Sequence, residues 1–173
     1  MSDHSFGERV VVVTGSSTGI GRAIATRFAA LGDKVVLHGR TMSRELEQTH
    51  SSISEAGGVA AIVTSDYSEE SFVDGFVDQV ISRFGTPDVW INNAGGDVLT
   101  GGGSEMSLSE KLEFLWRVDV RSTLLLSRAV GNLMFEAAET VEPRLRPSLI
   151  NVGWDQAWQG MAGESGELFA TTK

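Results

Sequence analysis

A run of four valines followed by closely spaced glycines constrains the fold of this chain more than any other feature of its sequence. Val10 to Val13 form a short β-branched run, which is typical of a strand buried on both faces. The glycines follow at spacings of four and two residues, and they are Gly15, Gly19 and Gly21. A helical pattern of apolar residues begins at Ile20 and ends near Leu31. The sequence therefore predicts a strand, a tight turn and a helix.

Each glycine of this turn has a physical role if the turn binds a phosphate. Gly15 permits the tight turn after the strand, Gly19 allows a phosphate to approach backbone N–H groups, and Gly21 allows the helix to pack closely on the sheet. The N-terminus of the helix adds unpaired N–H groups and the positive end of a dipole. The alternative is a glycine-rich turn without a ligand, but the flanking strand and helix favour the phosphate site.

Composition and charge exclude several classes of protein. A chain of 173 residues, 41% apolar and 21% charged, is typical of one globular domain. Its net charge of −9 argues against nucleic acid or an anionic membrane as a partner. It has no cysteine, and His4, His38 and His50 lack metal-ligand spacing, so neither a disulfide framework nor a metal site is expected. No apolar run approaches the ~20 residues of a membrane span, and the N-terminus lacks a signal-peptide pattern, so a cytoplasmic location is expected.

The rest of the chain alternates between strand and helix patterns. The predicted strands span residues 10–13, 34–37, 59–64, 89–91 and 148–152. The predicted helices span residues 20–31, 43–56, 72–84 and 107–138. This order of elements predicts an α/β fold, a Rossmann-type doubly wound parallel sheet with right-handed crossovers. No internal repeat or linker divides it, so residues 1–173 are expected to form a single dinucleotide-binding domain.

Two motifs at the ends of predicted strands resemble those of the short-chain dehydrogenase/reductase family. The first motif is Thr14-Gly15-Ser16-Ser17-Thr18-Gly19-Ile20-Gly21, and the second is Asn92-Asn93-Ala94-Gly95. The resemblance implies an NAD(P)(H)-dependent oxidoreductase that acts on a carbonyl or hydroxyl group of a small-molecule substrate. The cofactor-binding residues that the resemblance implies are Gly15, Ser17, Gly19, Ile20, Asp66, Asn93, Ala94, Gly95 and Lys173.

Arg40 and Asp66 are expected to contact the adenosine end of that cofactor. About 20 residues after the glycine loop, a site that prefers NAD usually presents an acid to the ribose hydroxyls. This chain has Arg40 there, and a guanidinium can pair with a 2′-phosphate, so NADP(H) is predicted. A solvated arginine is the alternative. The resemblance implies that Asp66 accepts a hydrogen bond from the adenine amino group. The alternative is that Asp66 caps the next helix, although Ser68 is expected to do so.

The resemblance breaks at the catalytic positions. The family has a serine after the fifth strand, a tyrosine followed four residues later by a lysine, and an asparagine on the fourth helix. Here the corresponding residues are Trp154, Phe169, Lys173 and Asp119. Phe169 has no proton to give, and an ionised Asp119 accepts hydrogen bonds but cannot donate them. Two hypotheses stay open: an oxidoreductase with an altered acid–base arrangement, or a catalytically impaired NADP(H)-binding protein that acts as a sensor or subunit partner.

Two further expectations concern the whole protein. Family members use the fourth helix for dimer contacts, and Leu124 to Leu126 are more apolar than one packed face requires, so a homo-oligomer (dimer or tetramer) is expected. A helix simply buried in the domain is the alternative. A fifth crossover helix is expected to begin at Lys173, where the sequence stops. The chain is therefore expected to be the N-terminal two-thirds of a longer protein, cut off after its fifth strand.

Overall fold

Five parallel strands form one sheet in the structure, a computed structural model that describes residues 9–140 and 146–173. The strands are β1 (Val10–Val13), β2 (Lys34–Gly39), β3 (Val59–Thr64), β4 (Val89–Asn92) and β5 (Ser148–Asn151). Their order across the sheet is β3-β2-β1-β4-β5. The strand order reverses between β1 and β4, which makes the carboxyl ends of these two strands the expected place for a ligand. The predicted Rossmann-type parallel sheet is confirmed.

Helices connect the strands and cover both faces of the sheet. They are α1 (Gly19–Ala30), α2 (Arg44–Glu55), α3 (Phe72–Phe84), α4 (Gly101–Ser104), α5 (Leu108–Leu115), α6 (Ser122–Thr140) and α7 (Glu164–Thr172), with a π-helical segment (Trp116–Arg121) between α5 and α6. In the part of the chain that the structure describes, no helix is long and apolar enough to cross a membrane.

Alternation along the strands divides the core into two layers. Val11 and Val13 of β1 pack with Leu46 of α2 and the small residues of α1, on one face of the sheet. Val12 of β1 packs on the other face with Trp90 of β4 and the apolar sides of α3 and α6. Since successive side chains of a strand point to opposite faces, an uninterrupted apolar strand is what a sheet covered on both sides requires.

The helix predicted over residues 107–138 is interrupted in the structure. The α-helical hydrogen bonding stops at Leu115, gives way to the π-helical segment, and resumes at Ser122. The start of the helix agrees with the sequence, because Ser107 and Glu110 form the reciprocal hydrogen bonds of a capping box. A π-turn inserts extra backbone into an α-helix and frequently marks a functional position.

Two of the predicted boundaries that differ from the structure by more than one residue concern β2 and the last helix. Strand β2 continues to Gly39 because His38 and Gly39 pair with Val63 and Thr64 of β3. The last helix begins at Glu164 rather than at Lys173, which lies just beyond its end. Three glycines lie within or just before this helix, so the sequence shows no clear helical pattern there. The two glutamates of its first turn are the signal that favours a helix N-terminus.

Candidate functional site

The turn between β1 and α1 needs its glycines. Gly15 and Gly19 have φ angles of +63° and +55°, in the left-handed region. A Cβ atom on Gly15 would lie 2.7 Å from the Cα atom of Ala94, and one on Gly21 would collide with the carbonyl oxygen of Gly15. The backbone of the turn therefore lies directly against the end of β4, and helix α1 approaches the sheet closely.

The N-terminus of α1 presents unpaired backbone donors. Thr18 is the N-cap residue, its side chain makes no capping hydrogen bond, and the first turn contains no acid. The first backbone bond of the helix runs from Arg22 N–H to Thr18 C=O. Among the residues that the structure describes, no acceptor faces the N–H groups of residues 17–21. Such a group of donors at the positive end of a helix dipole suits an anion.

The Asn-Asn-Ala-Gly motif ties the end of β4 to this turn. The N–H groups of Asn93 and Ala94 both donate to the hydroxyl of Thr14, each at 2.9 Å. The side-chain amide of Asn93 donates to the carbonyls of Thr14 and Gly15, at 2.9 and 3.1 Å. Asn93 therefore holds the glycine turn in place with its side chain.

The neighbouring Asn92 joins β4 to β5 and α6. Its amide nitrogen donates to the side-chain oxygen of Asn151 at 2.8 Å and to the hydroxyl of Ser127 at 3.0 Å. Its amide oxygen accepts from the indole N–H of Trp90 at 2.7 Å. Asn92 is buried, and these bonds satisfy both ends of its amide.

His38 is a site residue that sequence reasoning missed. Its Nδ1 accepts from the N–H of Gly15 at 3.1 Å, and its Nε2 lies 3.0 Å from the carbonyl oxygen of Ser65. The ring is therefore neutral with its proton on Nε2. Burial lowers the pKa of His38 to about 4, opposed by the Ser65 carbonyl and the charge of Asp66. Of the other histidines, His50 bonds the carbonyl of Ala60, and His4 lies outside the described residues.

A groove of about 330 Å³ opens beside the glycine turn. Six of the predicted cofactor residues line it: Gly15, Ser17, Arg40, Asp66, Ala94 and Gly95. Arg40 is exposed and makes no ion pair with the residues that the structure describes. The other four predicted residues do not line the groove: Gly19 and Ile20 form the first turn of α1, Asn93 bonds the glycine turn, and Lys173 borders a second cavity.

Asp66 shapes the loop before α3. Its Oδ1 accepts from the N–H and the hydroxyl of Ser68, at 2.9 and 2.7 Å, so Asp66 closes a local turn. Ser71, not Ser68, is the N-cap residue of α3, and its side chain makes no capping bond. The expectation that Ser68 caps the helix is wrong, because the helix begins later than the acids after Ser68 suggest.

Asp119 and Lys173 form an ion pair in the second cavity, which has a volume of about 470 Å³. Asp119 Oδ2 lies 3.0 Å from Lys173 Nζ, and Asp119 Oδ1 accepts from the N–H of Gly96 at 2.6 Å. Burial raises the pKa of Asp119 above its ordinary value, although the charge of Lys173 and the Gly96 N–H oppose this. The π-helical segment places Asp119, and a Cβ on Gly95 would collide with the lysine ammonium.

Trp154, after β5, and Phe169, on α7, lie side by side. Their rings meet edge to face with centroids 5.9 Å apart. Phe169 also packs against the buried Val98, Leu115 and Leu168. The two side chains therefore form an apolar contact without a hydroxyl, and Phe169 lies one helical turn before Lys173.

These features agree with a known protein family. The family model described as short chain dehydrogenase matches residues 9–141, which is most of the chain. The chain therefore belongs to the short-chain dehydrogenase family. The match includes the glycine turn, Arg40, Asp66, the Asn-Asn-Ala-Gly motif and Asp119.

Individual relatives are similar over different parts of the chain. The 3beta-hydroxysteroid dehydrogenase 1 of Eggerthella lenta is 46% identical over 90 residues, which are 52% of this chain and 34% of that protein. Glucose 1-dehydrogenase 2 of Bacillus subtilis is 35% identical over 128 residues, 74% of this chain and 49% of that protein. The chain thus spans about a third to a half of the length of these curated relatives. The crystal structure of a metagenomic short-chain oxidoreductase in complex with NADP is 31% identical, with a TM-score of 0.81 over 98% of this chain and 70% of that one.

Proposed function

We propose that this chain is the dinucleotide-binding part of an NADP(H)-dependent oxidoreductase that acts on a carbonyl or hydroxyl substrate. The free N–H groups at the N-terminus of α1 carry the proposal, because they form a site for the diphosphate of a dinucleotide. The glycine turn supports it, since a side chain at Gly15 or Gly21 would meet backbone atoms. The solved relative with bound NADP supports the same class of ligand.

The choice of NADP(H) rests on Arg40. Arg40 lines the groove, is exposed and has no carboxylate partner among the described residues, so its guanidinium is free to pair with a 2′-phosphate. Asp66 lines the same groove with one carboxylate oxygen engaged by Ser68. We propose that its other carboxylate oxygen accepts a hydrogen bond from the adenine amino group.

The bound cofactor would supply or accept the hydride, and the chain must manage the accompanying proton. Lys173 is held by Asp119 at the border between the second cavity and the Gly95 backbone, where its ammonium is available to the ribose or to the reacting oxygen. Phe169 cannot donate a proton, so we propose an acid–base arrangement that differs from the family's tyrosine and serine. The names of the curated relatives, a hydroxysteroid and a glucose dehydrogenase, support a substrate that bears a hydroxyl or carbonyl.

A second candidate is a dinucleotide-binding protein without turnover, which acts as a sensor or subunit partner. The Trp154–Phe169 pair favours it, because the two positions where the resemblance places hydroxyls hold aromatic rings that contact each other. Positioned general acids contribute roughly 10²–10⁴-fold to a rate, so their absence weakens catalysis without affecting cofactor binding.

The test is to restore the missing hydroxyls and to measure both binding and turnover. We expect the double variant Trp154→Ser with Phe169→Tyr to reduce a generic ketone with NADPH about 10- to 100-fold faster than wild type, because it regains a phenol beside Lys173. Phe135→Tyr is the matched control, since Phe135 is exposed on α6 and lines neither of the two cavities described above.

The outcomes separate the two candidates. Wild-type turnover that the double variant exceeds supports the altered oxidoreductase. Absence of turnover in both proteins, with NADPH bound in calorimetry, supports the sensor or partner. Folded wild-type protein that binds neither NADPH nor NADH contradicts both.

A further inference from the structure

The carbonyl oxygen of Ser17, in the middle of the glycine turn, is held by two side chains from different helices. The guanidinium of Arg22 donates to it from Nε at 3.0 Å and from Nη2 at 2.5 Å. The hydroxyl of Thr49, on α2, donates to it at 3.1 Å. Thr49 is 32 residues away in sequence and is 2% exposed, so this second contact is built by the tertiary fold.

Holding this carbonyl also fixes the neighbouring N–H group. In a trans peptide, the N–H of the next residue points opposite to the carbonyl, and the described residues contain no cis peptide. The N–H of Thr18 is therefore directed away from Arg22 and Thr49. Rotation of this one peptide would exchange an N–H donor for a carbonyl oxygen, which repels a phosphate rather than binding it.

No other hydrogen bond among the described residues holds this peptide in place. Thr18 makes no capping bond, Gly19 is conformationally free, and the five N–H groups from residue 17 onward have no acceptor in the described part of the chain. Thr49 shares its single hydroxyl hydrogen between the Ser17 carbonyl and the carbonyl of Glu45 in its own helix, at 2.9 Å. The hydrogen bonds from Arg22 and Thr49 to the Ser17 carbonyl are thus the polar contacts that orient the peptide between Ser17 and Thr18.

We infer that Arg22 and Thr49 are positioning residues for the dinucleotide, acting through the carbonyl of Ser17; this inference rests on the proposed dinucleotide function. Arg22 does so with two N–H donors that converge on one oxygen, a geometry that lysine cannot reproduce. Thr49 connects α2, the helix that follows Arg40, to the turn at the phosphate end of the site through its hydrogen bond to Ser17. Both residues act on the loop and need not touch the ligand.

The first experiment measures dinucleotide affinity in matched variants by titration calorimetry with NADPH. We expect Arg22→Gln to weaken binding tenfold or more and Thr49→Val to weaken it about three- to tenfold. Arg27→Gln removes the same charge from an exposed position on α1 and is expected to change affinity less than twofold. Thr49→Ser keeps the hydroxyl and is expected to bind like wild type. Equal losses in Arg22→Gln and Arg27→Gln would show that charge alone matters and would overturn the inference.

The second experiment needs no ligand and follows the backbone amide of Thr18 by NMR. We expect its order parameter to fall and its resonance to shift in Arg22→Gln and in Thr49→Val, whereas Arg27→Gln and Thr49→Ser leave both unchanged. An unchanged Thr18 amide in both test variants overturns the inference, whether or not a dinucleotide binds. Absence of NADPH and NADH binding in wild type contradicts the proposed function instead, and the amide measurement then decides the inference alone.

Discussion

His38 links the glycine turn to Ser65, just after β3, through the two nitrogen atoms of one ring. The ring also stacks on Tyr67, with centroids 4.5 Å apart and planes 9° from parallel. One nitrogen must accept from Gly15 and the other must donate to Ser65, so a second proton would remove the acceptor that holds the turn. The neutral form of this side chain is therefore part of the site's geometry.

This arrangement predicts a loss of stability in mild acid. The folded protein holds the pKa of His38 at about 4, whereas an unfolded histidine titrates near 6.5. Between these values the unfolded chain binds a proton that the folded chain does not, so the free energy of unfolding falls as the pH falls from about 6.5 towards 4. At pH 5 the loss relative to pH 7.5 is about 2 kcal/mol.

Urea unfolding of wild type and His38→Gln at both pH values measures this contribution. We expect the variant to lose about 2 kcal/mol of the wild-type pH dependence, and His50→Gln, at a half-buried histidine, to retain it. A His38→Gln protein with the full wild-type dependence would show that other groups cause it.

Arg40 gives a prediction about cofactor choice. Arg40→Ala should weaken NADPH binding by about 2 kcal/mol, roughly thirtyfold, because a charge-assisted bidentate contact is lost, and should hardly change NADH binding. Calorimetric titration with both dinucleotides gives the two losses. Arg44→Ala is the control, since Arg44 is exposed nearby but does not line the groove. Equal losses for NADPH and NADH would identify Arg40 as a solvated surface charge.

At the scale of elements, the contact between α1 and the end of β4 depends on Gly21. A Cβ atom there would collide with the Gly15 carbonyl and lie 2.5 Å from the side-chain nitrogen of Asn93, and these two groups are themselves hydrogen-bonded. Neither group can move without breaking the glycine turn. We therefore expect Gly21→Ala to lower the free energy of unfolding by about 3 kcal/mol.

Gly131 supplies the matched control for that prediction. It lies within α6, and a Cβ atom there would have no neighbour within 4 Å. Gly131→Ala should raise the stability by up to about 1 kcal/mol, because alanine loses less backbone entropy in a helix. Chemical denaturation of both variants checks the pair, and a Gly21→Ala protein as stable as wild type would contradict the close packing.

The elements that periodicity encodes were predictable, and those that it does not encode were missed. Val10–Val13 and the glycines after it specify a strand, a turn and a helix through local residue types alone. The π-helical segment has no such signature, since the apolar pattern of Leu115 and Leu126 is that of an ordinary buried helix. Helix α7 was missed because its glycines break the pattern.

At the scale of the whole molecule, the long helix carries exposed apolar side chains. Leu126 is buried in the core, but Leu124 and Phe135 are 66% and 64% exposed. The leucines of α6 thus lie on two faces of the helix, one packed in the core and one exposed. We propose that the exposed face contacts a second copy of the protein. Apolar side chains exposed together commonly mark such interfaces.

Light scattering tests this proposal on the protein with and without Leu124→Glu. We expect the variant to dissociate to a smaller species, because a carboxylate would be buried without a partner in the interface. Met42→Glu places the same charge on another exposed apolar residue, 56% exposed after β2, and should leave the assembly intact. A monomeric wild type, or an unchanged mass in Leu124→Glu, would contradict the proposal.

Parts of the site could be predicted where residues belong to local motifs or follow the end of a strand, as Arg40 and Asp66 do. Gly15, Ser17, Ala94 and Gly95 come together at the groove as the two motifs suggested. His38, Arg22 and Thr49 could not be found in this way, because their roles depend on contacts with carbonyl and N–H groups of other segments. A side chain that bonds the backbone of another segment leaves no recognisable pattern in the sequence of its own segment.

The π-helical segment also bears on how the length of this chain can change. A π-turn accommodates one more residue than an α-helical turn, so deleting one residue between Trp116 and Arg121 would restore an ordinary helix without rotating α6 relative to α5. Leu115 and Leu126 could then keep their places in the core, whereas side chains of the segment itself would turn by up to about 100°, the angle of one helical position. Such a deletion would therefore act on the contact between Asp119 and Lys173 rather than on the packing of the two helices.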